Sequence, residues 1–194
     1  VNPLKEGIAP VKEPQLEELL KKNLAAGRLK FTMDSLEATK ETDCAMIAVG
    51  TPSDADGAVN LSAIERCIES IASSLIDSSK KQFTIIIRST VPPETTKRMQ
   101  ELAKRILNGQ CEVAFSMNPE FLREGVAVDD FMKPDRIVIG TSSEKARTTM
   151  ERLYAPFVRQ GNPIIIMNER SAEVTKYAAN SYLATRISFM NEIA

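Results

Sequence analysis

Short, largely apolar runs interleaved with stretches of helical periodicity constrain the fold of this chain more than any other feature. Ala45 to Val49, Phe83 to Ile87, Val113 to Ser116, Arg136 to Ile139 and Ile164 to Ile166 are too short for helices and are bounded by turn residues. Such runs read as strands buried on both faces. Between them, Leu61, Ile64, Ile68, Ile71 and Leu75 fall on one helical stripe. Glu94 to Leu107 and Glu144 to Phe157 repeat the pattern, and Ser171 is expected to cap a last helix that runs to the end. Upstream, Leu16, Leu19, Leu20 and Leu24 predict a helix over Pro14 to Ala26 closed by Gly27, and Lys30 to Thr32 reads as a short strand. Strands alternating with helices predict an α/β fold, a mostly parallel sheet with helices on both faces.

The 194 residues suit one substantial domain plus an appended element. With 25 basic against 26 acidic residues the net charge is −1, which gives no basic excess for a nucleic-acid partner. The longest apolar runs fall far short of the ~20 residues that span a bilayer, so a soluble chain without a membrane anchor is expected. Three widely spaced cysteines, Cys44, Cys67 and Cys111, fit a reducing, cytoplasmic setting and are expected to be buried small hydrophobes. There is no histidine and no Cys-x-x-Cys pair, so no metal site is expected. Chemistry here falls to Glu, Lys, Thr, Asn or a borrowed group. Val1-Asn2-Pro3 has no initiator methionine, and Ala194 lies inside a helical pattern, so both ends read as cut. The final 24-residue helix, at ~1.5 Å per residue, is longer than one sheet needs and is expected to lead onward.

In a parallel sheet all strands end at one edge. Gly50-Thr51-Pro52, Ser89-Thr90-Val91-Pro92 and Asn118-Pro119-Glu120 therefore converge there, where open α/β sheets bind ligands. Each alone reads equally well as a turn; together they favour a site. The densest stretch, Asn118-Pro119-Glu120-Phe121-Leu122-Arg123-Glu124-Gly125, is read as a turn into a short helix carrying Glu120 and Glu124 on its first turns. Lys176 and Asn180 share a helix face. Lys176 stands in a nearly uncharged stretch, and a lysine there is expected to be partly buried and to point at a partner. Arg123, Arg136 and Arg186 are each able to hold an anion, although Arg123 and Arg186 read as well as surface charge and Arg136 as an ion pair with Asp135.

Gly50-Thr51-Pro52, Ser89-Thr90-Val91-Pro92, the NPEFLREG segment, Lys133-Pro134-Asp135-Arg136-Ile137-Val138-Ile139-Gly140 and Glu173 to Asn180, in that order, resemble the UDP-glucose/GDP-mannose dehydrogenase family. Gly7, Pro10 and Glu13-Pro14 with the following helix extend the likeness over essentially the whole chain. Within the family, Phe131 to Arg136 and Asn180 to Phe189 are most similar to the bacterial UDP-glucose 6-dehydrogenases, with GDP-mannose and UDP-N-acetyl-sugar enzymes next.

The resemblance implies a partial NAD-binding Rossmann-like domain over residues 1–170, and over 171–194 the start of a long inter-domain helix through which two copies dimerise. It further implies NAD as cofactor, UDP-glucose as substrate and two hydride transfers from C6, with a cysteine thioester between them. By the same likeness Glu120 is the acid/base that helps hydrolyse the thioester, Thr90 positions water, and Lys176 and Asn180 bind the substrate oxygen as charge develops. The catalytic set is thus Thr90, Glu120, Lys176 and Asn180. Thr51, Pro52, Ser89, Thr90 and Glu124 match cofactor contacts, and Glu120, Phe121, Leu122, Arg123, Glu124, Lys176 and Asn180 match substrate contacts.

Three departures stand out. No Gly-x-Gly occurs, and the likeness puts the family's phosphate loop before Val1. It puts the nucleophilic cysteine after Ala194, so none of Cys44, Cys67 and Cys111 takes that role, and the 194 residues alone are expected to make no NADH from UDP-glucose. Gln15 stands where the family usually has glycine, and only a local turn change is expected there. A noncatalytic binding or assembly module, working through its final helix, is the rival reading.

Overall fold

The computed structural model describes residues 2–158, 161 and 163–194. Val1, on which the reading of a cut start rests, lies outside them. In chain order the elements are α1 (Asn2–Lys5), α2 (Leu16–Ala25), α3 (Ser35–Glu41), β1 (Cys44–Ile47), α4 (Ser62–Ser78), β2 (Gln82–Ile87), α5 (Thr95–Leu107), β3 (Glu112–Met117), α6 (Ala127–Met132), β4 (Ile137–Gly140), α7 (Glu144–Tyr154), β5 (Ile164–Met167) and α8 (Glu169–Ile193).

The strands form one five-stranded sheet in the order β1-β2-β3-β4-β5. β1, β2 and β3 run parallel, with Ile47 opposite Ile87 and Ile87 opposite Met117. β4 is antiparallel to β3, meeting it at Met117 and Gly140, and β5 runs parallel to β4. The expectation that every strand ends at one edge therefore holds for β1–β3 and fails for β4 and β5.

The two-residue strand period separates two cores. Phe83, Ile85 and Ile87 of β2 pack with Ile64, Ile68 and Leu75 of α4 and Met99, Ala103 and Leu107 of α5. Ile86 packs with Ile137, Ile139, Met150 and Tyr154 beneath α7. Burial on both faces explains why β2 is a continuous apolar run rather than an alternating one.

The long last helix is fitted closely to this sheet. A Cβ on Gly140 would lie 2.5 Å from the Ala172 Cβ and 3.0 Å from the Glu169 Cα, so α8 reaches β4 only because residue 140 has no side chain. Asn168, not Ser171, caps α8: its side chain accepts the Ser171 N–H at 2.8 Å. The helix starts early because the Glu169 carboxylate accepts from both the N–H and the hydroxyl of Ser142, which docks the first turn. One turn on, the fully buried Glu173 carboxylate accepts from the N–H groups of Glu94 and Thr96 and from the Thr96 hydroxyl, each at 2.7 Å. An α8 side chain thus satisfies the free donors at the start of α5.

Other expectations are corrected. Lys30 to Thr32 forms no strand; it leads to α3, where the Asp34 side chain accepts from the N–H groups of Leu36 and Glu37. α2 begins at Leu16 after Gln15, whose φ of 66° and ψ of −13° lie in the left-handed region that glycine enters freely. The Gln15 amide donates to Asp129 at 3.2 Å, which ties this turn to α6. Of the cysteines only Cys111 is buried, with Cys44 and Cys67 half-buried. Among the described residues no helix is long and apolar enough to cross a membrane.

Candidate active site

Register places the three parallel strand ends side by side. Ile47, Ile87 and Met117 are mutually aligned, so Gly50, Thr90 and Glu120 each stand three residues past an aligned position. The Arg88 and Ser89 N–H groups donate to the Ile47 carbonyl, and the Asn118 N–H donates to the Ile87 carbonyl, which carries the ladder beyond the strands. The Ser89 hydroxyl donates to the Val49 carbonyl at 2.7 Å and the Thr51 hydroxyl to the Thr90 carbonyl at 2.9 Å, stitching the first two ends together. Gly50 and Pro52 are exposed, and a Cβ at Gly50 would meet nothing within 4 Å. The outer face of this edge is open.

Residues 118–126 do not form the helix expected for Glu120 and Glu124; they turn irregularly, and α6 starts only at Ala127. The Glu13 carboxylate accounts for this. It accepts from the N–H groups of Gly125 at 2.9 Å and Ala127 at 2.7 Å, so the start of α6 is capped from the N-terminal segment. The Glu120 side chain caps its own turn, accepting the Leu122 N–H at 2.6 Å.

Lys176 of α8 reaches this turn. Its ammonium donates to the Glu120 carbonyl at 2.5 Å and to the Glu120 carboxylate at 2.9 Å, and it is only 5% exposed. Burial pushes the Glu120 carboxyl up, but the Lys176 hydrogen bond, the Leu122 N–H and the charges of Lys176 and Arg88 outweigh it and hold the carboxyl below the ordinary value. Phe121 lies between two cations, 4.4 Å from the Arg136 guanidinium and 5.4 Å from the Lys176 ammonium. Arg136 therefore stacks on a ring, and among the described residues it makes no ion pair with Asp135. Arg123 is exposed and pairs bidentately with Asp130.

Asn180, one turn beyond Lys176, is exposed, as is Glu124; neither side chain makes a hydrogen bond among the described residues. Leu122 is exposed at the rim. A cleft of about 590 Å³ lies beside the turn, lined by Glu120, Phe121, Arg123, Arg136, Arg88 and Tyr154 among others. Glu120 and Phe121 line it, whereas Thr51, Ser89, Thr90, Lys176 and Asn180 do not.

Sequence reasoning gave no role to Arg88 or Tyr154, and used Asn118 only for the turn and the strand-end convergence and Glu13 only for the family likeness. Tyr154 reads as one more apolar position on α7, and Arg88 as a charge after a strand. The Asn-Pro pair was visible, but its buried partners lie on other elements. The cysteines stand away from this edge. Cys44 opens β1, Cys111 immediately precedes β3, and Cys67 lies within α4. Burial pushes all three thiols up, which disfavours the thiolate form.

Residues 1–158 match the UDP-glucose/GDP-mannose dehydrogenase family NAD binding domain, and residues 170–194 the same family's central domain. A Pseudomonas aeruginosa UDP-glucose 6-dehydrogenase is 42% identical over 98% of this chain and 42% of its own length. A Bacillus subtilis UDP-glucose 6-dehydrogenase is also 42% identical, over 100% of the chain and 42% of its length. The solved GDP-mannose dehydrogenase of Pseudomonas aeruginosa superposes with a TM-score of 0.94 at 32% identity, over 100% of this chain and 44% of that one. This chain thus spans less than half the length of the relatives it matches. With an NAD-binding domain matched over most of its residues and strand ends assembled as described, the chain belongs to the UDP-glucose/GDP-mannose dehydrogenase family.

Proposed function

We propose that residues 1–170 are the greater part of the NAD-binding domain, and residues 171–194 the start of the connecting helix, of a cytoplasmic dehydrogenase that oxidises C6 of UDP-glucose to UDP-glucuronate. The observation that carries this reading is the Glu120 carboxylate, held ionised by a buried lysine at the edge where three parallel strands end. An ionised carboxylate at neutral pH is a proton acceptor, as loss of hydride from a carbinol carbon requires of its hydroxyl. Lys176 has three donors, two of them engaged by Glu120, and the third, with the Asn180 amide one turn on, is suited to a substrate oxygen gaining negative charge.

The open edge at Gly50, Thr51 and Pro52, with Ser89, Thr90 and Glu124, fits a dinucleotide laid across the strand ends. NAD bound there supplies the acceptor for two hydrides. Thr90 lies on the strand end beside Glu120 and is assigned to hold the water that hydrolyses the intermediate acyl group. Phe121, Leu122 and Arg123 are assigned to the sugar nucleotide. No thiol among Cys44, Cys67 and Cys111 is near this edge, so the 194 residues alone yield no NADH from UDP-glucose. α8 is proposed to pair with a second copy, a reading supported by the exposed stripe of Leu183, Ile187 and Met190.

The full-length protein carrying this chain is expected to form two NADH per UDP-glucose, followed by absorbance, and to favour UDP-glucose over GDP-mannose and UDP-N-acetylmannosamine. Preference for either of the others overturns the substrate assignment. No NADH from any of the three overturns the activity.

A further inference from the structure

Asn118 is a closely tied polar side chain beside the cleft that Arg88, Glu120 and Tyr154 also line. It is 1% exposed. Its Oδ1 accepts from the Arg88 guanidinium at 2.7 Å and from the Tyr154 hydroxyl at 2.5 Å, and its Nδ2 donates to the Val138 carbonyl at 2.8 Å. The Arg88 guanidinium also donates to the Tyr154 oxygen at 3.0 Å, which closes a triangle. One amide thus bridges β2, β3, β4 and α7. Burial holds the Tyr154 hydroxyl above the ordinary phenol range despite the Arg88 charge and the hydrogen bonds to Asn118 and Arg88, so it remains a donor.

The next residue in the chain gives the triangle a use. Pro119 is buried and its ring fixes φ, so little torsional freedom separates Asn118 from Glu120. The guanidinium is seated in turn: Arg88 lies 5.6 Å from the Phe131 ring, Phe131 stands edge-on to Phe157, and Phe157 to Tyr154. We propose that Arg88 and Tyr154 are positioning residues, which pin Asn118 and through the rigid Asn118-Pro119 step set the place and electrostatic surroundings of the Glu120 carboxylate. This rests on the dehydrogenase reading for its effect on turnover, but not for its effect on Glu120 itself. The charged groups around that carboxylate are Lys176 from α8, Arg88 after β2, and Arg136 before β4, across the Phe121 ring. Lys176 holds the Glu120 backbone directly through its carbonyl, whereas Arg88 holds the Asn118 side chain two residues earlier.

Two measurements on the full-length protein test it, with Tyr154→Phe, Arg88→Met and Arg88→Lys. Tyr154→Phe keeps the aromatic contacts and removes one hydrogen-bonding oxygen, so it is expected to fold. In it kcat is expected to fall about tenfold while KM for the sugar nucleotide changes by less than about twofold, the split expected when a reacting group is displaced without loss of binding. Arg88→Met is expected to move the acid limb of the pH–rate profile to higher pH, and Arg88→Lys to restore part of both losses. The second measurement is the ¹³C titration of the Glu120 carboxyl, assigned with Glu120→Gln, and it needs no turnover. Its midpoint is expected to rise in Arg88→Met, to rise less in Tyr154→Phe, and to stay put in the surface control Arg98→Met. A protein without activity but with these shifts overturns the assigned reaction and supports the positioning role. Variants that lose only thermal stability, with the Glu120 midpoint and any pH profile unmoved, overturn the positioning role.

Discussion

Two charged residues of α8, Glu173 and Lys176, are buried three positions apart, and each answers a group on another element. Glu173 supplies a carboxylate to three donors at the start of α5. Glu173→Ala is expected to leave those donors dry and unpaired and to destabilise the chain by about 2–4 kcal/mol, against a smaller loss for Glu173→Gln, by denaturant unfolding. Lys176 answers Glu120. Because the folded-state value of Glu120 lies below its unfolded value, the stability it contributes is present above the unfolded value and is lost as pH falls through the folded one. Lys176→Met removes the hydrogen bond and the nearest charge but leaves the burial, so the Glu120 titration midpoint is expected to rise; an unmoved midpoint would show that Lys176 does not set it. That Lys176 is buried against a partner was legible, because a lone lysine among Tyr, Ala and Leu has little other use. That its partner is Glu120 was not, since nothing local in either segment records a contact between them.

At the scale of elements, the central strands were legible because cover on both faces demands unbroken apolar runs, and β2 is the clearest case. The edge strands β1 and β5 are apolar yet only partly buried, against the expectation of burial on both faces. The direction of β4 was not legible: Ile-Val-Ile-Gly carries no polarity along the chain, and its reversal is decided by how residues 118–136 cross the strand ends. α3 was missed because Ser-Leu-Glu-Ala-Thr-Lys-Glu buries only Thr39 and so shows no apolar stripe, although Asp34 followed by Glu37 was a start signal in plain view. Ser171 was an equally good cap by residue type; the Glu169 to Ser142 contacts, which belong to the tertiary structure, moved the start to Asn168. The glycine at 140 has a sharper consequence. Gly140→Ala drives a methyl into Ala172, and the resulting overpacking of β4 against α8 is expected to destabilise the chain by about 1–3 kcal/mol, read as a lower Tm. The paired change Gly140→Ala with Ala172→Gly is expected to recover part of that loss.

For the molecule as a whole, the contrast lies along α8. Its buried residues are Ala172, Glu173 and Lys176, whereas Tyr182, Leu183, Ile187, Phe189, Met190 and Ile193 are all at least 55% exposed. If this stripe pairs two copies, Leu183→Glu with Ile187→Glu is expected to convert a dimer to a monomer by sedimentation, while Arg98→Met on α5 leaves the assembly alone. An unchanged dimer would remove α8 from the interface. Gly140, Glu173 and Lys176 fix the root of α8, so the helix acts as a lever about that root. From Lys176 to Ile193 the helix rises about 26 Å, so a tilt of about 5° at the root carries the tip through about 2 Å. Small adjustments at the Glu120–Lys176 contact are thereby magnified at the far end of the helix.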